Sequence, residues 1–498
     1  MTHTSDPIGR DERRVAGVLL HPTSLPGRYG VGDLGDELTT FLDWAASAGL
    51  HLWQVLPLNP TGYGNSPYNC VSSVAGNPLL ISPQRLLQDQ LLAPEMIGDV
   101  PQFPVDRVDF DRVVPWKGKL LRNAFTRFDA KSEAFDRFQS EERDWLDDFA
   151  LYMAIKEKHG GASWWTWDQD LARRETGAIR KAQGELQDEI AFRKFVQFIF
   201  FKQWHAVRDA AHARNIRIMG DVPIYVAHDS ADVWANRELF QLDDRGEPTV
   251  VAGVPPDYFS TTGQRWGNPL YRWDKLKETN YHWWITRIRT NLEMADIVRL
   301  DHFRGFAAYW EVPAHEPTAI HGRWMPGPGT ELFDAIRKAL GNLPLVAEDL
   351  GFITPEVHEL RDTLGFAGMR ILQFGFSTPD SPHLPHRFSP HTVVYTGTHD
   401  NDTARGWFSH ATDAERDTAG MYLGDCSDFS WALIREAYTS VAETAIVPVP
   451  DILGLGSDAR MNRPGANTDN WNWRLQAGSL THAHAEKLRR LAEITGRV

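Results

Sequence analysis

Cysteine is nearly absent: Cys70 and Cys426 are the only two in 498 residues. That count excludes a disulfide framework and a Cys-based zinc motif, and it fits a reducing, cytoplasmic setting. Long apolar runs are missing too. No stretch of about 18 uninterrupted apolar residues offers a membrane span, and the opening MTHTSDPIGRDERR lacks the apolar core of a signal peptide. Positive charge is in deficit, with 52 Lys and Arg against 66 Asp and Glu. The resulting net charge of −14 argues against nucleic acid or an anionic membrane as a partner. No internal repeat or low-complexity tract interrupts the chain. The hydrophobic share of 42% and mean hydropathy of −0.40 allow a large core. The length fits two or three domains, or one α/β barrel with insertions.

Tryptophan is abundant. Nineteen are present, many beside Gly, Pro or Asn and off any helical period. Aromatics on loops suit sugar rings, whose apolar C–H faces stack on flat π surfaces, although a large core accounts for the count equally well.

Three apolar runs end on carboxylates. In Ala295–Gly305, ADIVRLDHFRG, Arg299 and Asp301 stand two positions apart and so share one side of a strand. Burying such a pair costs several kcal/mol per ion unless the charges are matched, so a function that uses them is the expectation. Leu345–Gly351, LVAEDLG, ends on Glu348, and Val393–Asp402, VVYTGTHDND, ends on His399 and Asp400. Asp301, Glu348 and Asp400 thus fall at the C-terminal ends of three strands, where α/β barrels keep their chemistry. A lone Asp or Glu is usually a surface or capping residue; three in register are not.

The remaining strands are expected at Val18–Leu20, Leu52–Leu56, Ile216–Asp221, Gly368–Leu372 and Ala445–Val447. Helical patterns such as Glu37–Ala48 separate most of them. Eight such units predict a closed parallel (β/α)8 TIM barrel, with 1–498 forming one catalytic unit. Residues 57–83 read as a functional loop insertion, 84–215 as a largely helical insertion and 222–290 as a loop and helix insertion. Within the last, Val251–Trp273 has too little periodicity for a helix and is expected to be a long ordered loop beside the site. Phe192, Phe195, Phe198, Ile199 and Trp204 are expected in the core.

Two carboxyl groups about 5–5.5 Å apart can cleave a glycosidic bond with retention, one as nucleophile and the other as acid then base. Arg299 would keep Asp301 ionised and nucleophilic, while like charge would raise the pKa of Glu348 and keep it protonated. Asp400 would stabilise the oxocarbenium-like transition state, with His302 and His399 orienting the ring. A metal-dependent hydrolase is disfavoured because the first strand carries only His21 and no His-x-His pair. No cofactor or metal is expected, and the lone Gly-x-Gly of GLGSDAR is too little for a nucleotide site.

Taken in order, HPTSLPGRYGVGDLG, GYGNSPY, GDVPIYV, GQRWGNPLY, VRLDHFRG, EDLG and THDND resemble the 4-α-glucanotransferases called amylomaltases or disproportionating enzymes, of the α-amylase superfamily. The likeness runs from about Gly17 to Leu475. It implies disproportionation of maltooligosaccharides and other α-1,4-glucans through a covalent glycosyl-aspartate. Asp301 would be the nucleophile, Glu348 the acid/base and Asp400 the transition-state stabiliser. Tyr68, Asp221, Trp266, Arg299 and His399 would contact substrate, with Tyr68 and Asp221 beside the scissile bond and Trp266 on a loop curving over the glucan. No C-terminal β-sandwich is expected, since the sequence ends soon after the last barrel helix, and this supports the amylomaltase branch. An α-glucan hydrolase on the same carboxylates and a non-catalytic glucan-binding protein are the alternatives; a monomer or homodimer is expected.

Overall fold

Period-two alternation builds the centre of the molecule. In the computed structural model, which describes residues 14–256, 260–466 and 468–498, the strands are β1 (Val15–Leu19), β2 (Leu52–Gln54), β3 (Arg217–Pro223), β4 (Val250–Val254), β5 (Gln264–Pro269), β6 (Ile297–Asp301), β7 (Ala308–Pro313), β8 (Arg323–Pro326), β9 (Leu345–Ala347), β10 (Gly368–Ile371), β11 (Thr392–Tyr395) and β12 (Thr444–Pro448). Eight of them form one parallel sheet in the order β10-β11-β12-β1-β2-β3-β6-β9. A parallel bridge between Val346 and Ala367 joins its two ends, so the sheet is a closed (β/α)8 TIM barrel, as the alternation predicted. The opening stretch read for a signal peptide lies outside the described residues except for Arg14.

Odd-numbered residues of β1, β6 and β11 face inward. Val15, Leu19, Met219, Ile297, Met369, Val393 and Tyr395 pack in the barrel interior, while Ala16, Val18, Ile218, Val298 and Leu300 join the larger core beneath the outer helices. Those helices include Asp36–Ser47, Gln187–His212, His282–Met294, Gly329–Leu340, Pro355–Leu364, Phe429–Thr439 and His482–Thr495. Of the predicted core residues, Phe192, Phe195, Ile199 and Trp204 are buried, and Phe198 is half-buried against the same core.

One expectation is overturned. Val251–Trp273 is not a continuous loop, because β4 and β5 pair antiparallel within it and extend through β7 and β8 into a four-stranded sheet, order β5-β4-β7-β8. The pattern was hidden because Gln264, Arg265 and Trp266 of β5 are exposed and Gly253 interrupts β4, so neither strand shows an apolar alternation. Residues 257–259, between the two strands, lie outside the described residues.

No described helix is long and apolar enough to cross a membrane.

Candidate active site

The inward stripe of β6 climbs from Ile297 through Arg299 to Asp301, taking the barrel from an apolar floor to a charged middle and a polar rim. The neighbouring strand does the same with Met219 and Asp221, and its pairing sets Asp221 beside Arg299. Arg299 Nη1 lies 2.8 and 2.7 Å from the two oxygens of Asp221, and Nη2 lies 2.8 Å from Asp301 Oδ1. Arg299 Nε points at Met369 Sδ, 3.4 Å away. One buried guanidinium therefore clamps two carboxylates from adjacent strands. Burial alone would lower the Arg299 pKa, but Asp221 and Asp301 hold it well above its ordinary value. Burial pushes Asp221 upward against the pull of Arg299.

Immediately after β6 the backbone at His302 is left-handed, with φ of 52°. Its N–H points at Glu348, donating to Oε2 at 2.7 Å, and Leu350 N donates to Oε1 at 2.8 Å. Glu348, one residue past β9, is nonetheless raised to about 8, first by burial and then by Asp301. The sequence predicted the direction from like charge; in the folded protein desolvation is the larger cause. The His302 ring is lowered to about 3 by burial and by Arg304, so it is neutral at ordinary pH.

Asp400 stands beyond β11. His399 Nε2 is 3.4 Å from its Oδ1, and Asn462 Nδ2 donates to the same oxygen at 2.6 Å. Tyr68 reaches in from the 57–83 loop. Its hydroxyl donates to Asp221 Oδ2 at 2.8 Å, and its ring stacks on His399 with centroids 4.8 Å apart. Burial lowers the pKa of His399.

Above this layer opens a cleft of about 850 Å³. Of the nine residues singled out from sequence, Tyr68, Trp266, Asp301, His302, His399 and Asp400 line it. Asp221, Arg299 and Glu348 lie buried around its base. Trp266, on exposed β5, meets His302 edge to face at 4.7 Å. Among the cleft residues that escaped the sequence reading, two touch the singled-out side chains around Asp400. Trp471, left-handed with φ of 63°, packs 5.7 Å from Tyr68 and 5.9 Å from His399, and Asn462 bonds Asp400. Both belong to the stretch after β12, where the Asn- and Trp-rich NTDNWNW was the available signal for Trp471 and nothing local marked Asn462. Among the described residues no group of three or more His, Cys, Asp and Glu is arranged to hold a metal ion.

A closed parallel barrel with carboxylates and aromatics gathered around a cleft at its C-terminal rim belongs to the class of TIM-barrel enzymes. The family model described as 4-alpha-glucanotransferase (Glyco_hydro_77) matches residues 20–481. The chain is 51% identical over 497 residues to a 4-alpha-glucanotransferase of Synechocystis sp., covering 98% of both chains. It is 50% identical to one of Thermus thermophilus, covering 97% of this chain and 99% of that one. Among solved structures it resembles an amylomaltase from Streptococcus agalactiae in complex with acarbose, with a TM-score of 0.94, 38% identity, and coverage of 97% of this chain and all of that one. The chain belongs to the 4-alpha-glucanotransferase family.

Proposed function

We propose that the protein transfers glycosyl units between α-1,4-glucans by a retaining double displacement in this cleft. Asp301 attacks the anomeric carbon of the donor and forms a glycosyl ester as the glycosidic C–O bond breaks, and Glu348 gives its proton to the departing oxygen. The 4-hydroxyl of an acceptor sugar then attacks the same carbon, the ester bond breaks, and the Glu348 carboxylate takes the hydroxyl proton. The two inversions restore the α configuration.

The observation that carries this reading is the difference between two neighbouring carboxyls. Asp301 is tied through Oδ1 to Arg299, and among the described residues no hydrogen bond reaches its Oδ2, leaving that oxygen for attack. Glu348, raised to about 8, keeps a proton to give at neutral pH. Each of its oxygens accepts one backbone N–H, so a second lone-pair position is left for a proton. Asp400, Tyr68, Trp266, His302 and His399 hold the sugars, Asp221 acts from beneath the cleft by holding Arg299 and Tyr68 in place, and the segments 57–83, 84–215 and 222–290 act as insertions that wall the cleft and favour an acceptor over water.

Incubation with maltotriose is the test. Transfer yields glucose together with longer maltooligosaccharides and little net gain in reducing ends; steady release of reducing ends makes the protein a hydrolase. Asp301→Ala should lose at least about 10³-fold in kcat, and an Asp301→Ala variant as active as the unmodified protein would overturn the nucleophile assignment.

A further inference from the structure

Asp451 is 1% exposed and lies just past β12, in the short helix Val449–Ile452. No Lys or Arg forms an ion pair with it among the described residues. A buried carboxylate without a cation is costly unless its hydrogen bonds are used, and burial raises its pKa to about 6.

Its two oxygens hold two distant points of one loop. Oδ2 accepts from Thr396 Oγ1 at 2.6 Å, and Oδ1 accepts from Ala404 N at 2.7 Å. Thr396 directly follows β11, and Ala404 opens the helix Ala404–His410. Between them run residues 397–403, which include His399 and Asp400. The tip of this loop is gripped by the same downstream segment: Asn462 N donates to His399 O at 3.0 Å, Arg460 Nη2 to Asp400 O at 2.6 Å, and Ser457 Oγ to Asp402 Oδ2 at 2.7 Å. Among the described residues, Asp451 is the side chain that bonds both feet, Thr396 and Ala404.

We propose that Asp451 is a positioning residue for glycosyl transfer, fixing both feet of the 396–404 loop so that Asp400 and His399 meet the sugar at the reacting bond. This rests on the roles given above to those two residues. Misplacing a group that stabilises the transition state by about 1 Å costs on the order of 10²-fold in rate. The effect of Asp451 must therefore run chiefly through Asp400, the transition-state stabiliser of the two.

A double-mutant cycle on the full-length protein with maltotriose tests it. Asp451→Ala, checked for cooperative unfolding, should lose about 10–100-fold in kcat while KM changes by less than about threefold. Asp451→Asn, whose carbonyl can still accept from Ala404 and whose amide can donate to Thr396 Oγ1, should recover most of that loss. Combined with Asp400→Ala, Asp451→Ala should add less than about threefold to the single Asp400 loss. Additive losses, a folded Asp451→Ala at the unmodified rate, or an Asn variant as poor as Ala would each overturn the inference alone. Should Asp451→Ala not fold, Thr396→Val removes one tie and takes its place in the cycle with the same outcomes. An Asp400→Ala variant at full rate would overturn the role of Asp400 and this inference with it.

Discussion

At the scale of single residues, Glu348 and Arg299 carry the sharpest consequences. In its proposed role as general acid Glu348 must be protonated to act, so kcat/KM on maltotriose should fall about tenfold per pH unit above about 8, as Glu348 ionises. Glu348→Gln should lose about 10²–10⁴-fold on maltotriose and far less on α-maltosyl fluoride, whose leaving group departs without a proton. The same shift affects stability. Because the folded pKa lies above the unfolded one, the protonated acid stabilises the fold fully below about 4.5, and this contribution is lost as pH rises through about 8. Glu348→Gln should therefore be more stable than the unmodified protein at pH 9, as read by urea unfolding. Arg299→Met would strip the buried Asp221 of its cation and should destabilise the protein by about 3–5 kcal/mol.

At the scale of elements, the site depends on how the 57–83 loop is fastened. Gln197 of the helix Gln187–His212 accepts from Gly76 N at 2.7 Å and donates to Gly76 O at 3.0 Å. Gln203 of the same helix treats Ser82 in the same way, at 2.7 and 3.4 Å. Gly76 itself is required, since a Cβ there would come within 1.9 Å of the Phe200 ring. Gln197→Leu would leave a buried N–H and C=O unpaired. It should cost about 2–4 kcal/mol and raise KM through Tyr68 more than it lowers kcat, which steady-state kinetics beside thermal unfolding would separate. On the other wall, Trp266→Ala should raise KM by about 2–10-fold, the worth of one aromatic contact, with a smaller change in kcat. The hairpin that presents Trp266 was the element least legible in the chain. Its strand β5 faces solvent, and the strand that extends its sheet, β7 beside β4, does not begin until Ala308, so no local period announced it.

At the scale of the molecule, the two ends of the barrel have separate tasks. Around the N-terminal end, buried Arg497 donates to the carbonyls of Tyr438 at 2.8 Å and Ala442 at 2.7 Å and, at 3.1 and 3.3 Å, to those of Glu443 and Val15. It ties the last residues of the chain to the starts of β1 and β12. Arg497→Leu should lower the unfolding midpoint clearly while leaving kcat/KM per folded molecule unchanged, because the cleft lies at the opposite rim. A matching fall in kcat/KM would show that the two ends are coupled.

The sequence by itself determined the eight parallel strands, since apolar runs separated by helical patterns leave few other ways to bury both faces of a sheet. It also determined which carboxylates stand at strand ends, because period-two alternation places Arg299 and Asp301 on one side wherever the strand goes. The tertiary structure decided what long-range contacts govern: the clamp from Asp221 through Arg299 to Asp301 across two strands, the burial that outweighs like charge at Glu348, and the placing of Asn462 and Trp471 against Asp400 and Tyr68. Hydrogen bonding and desolvation depend on which distant groups share a few ångströms, and only the closing of the barrel sets that.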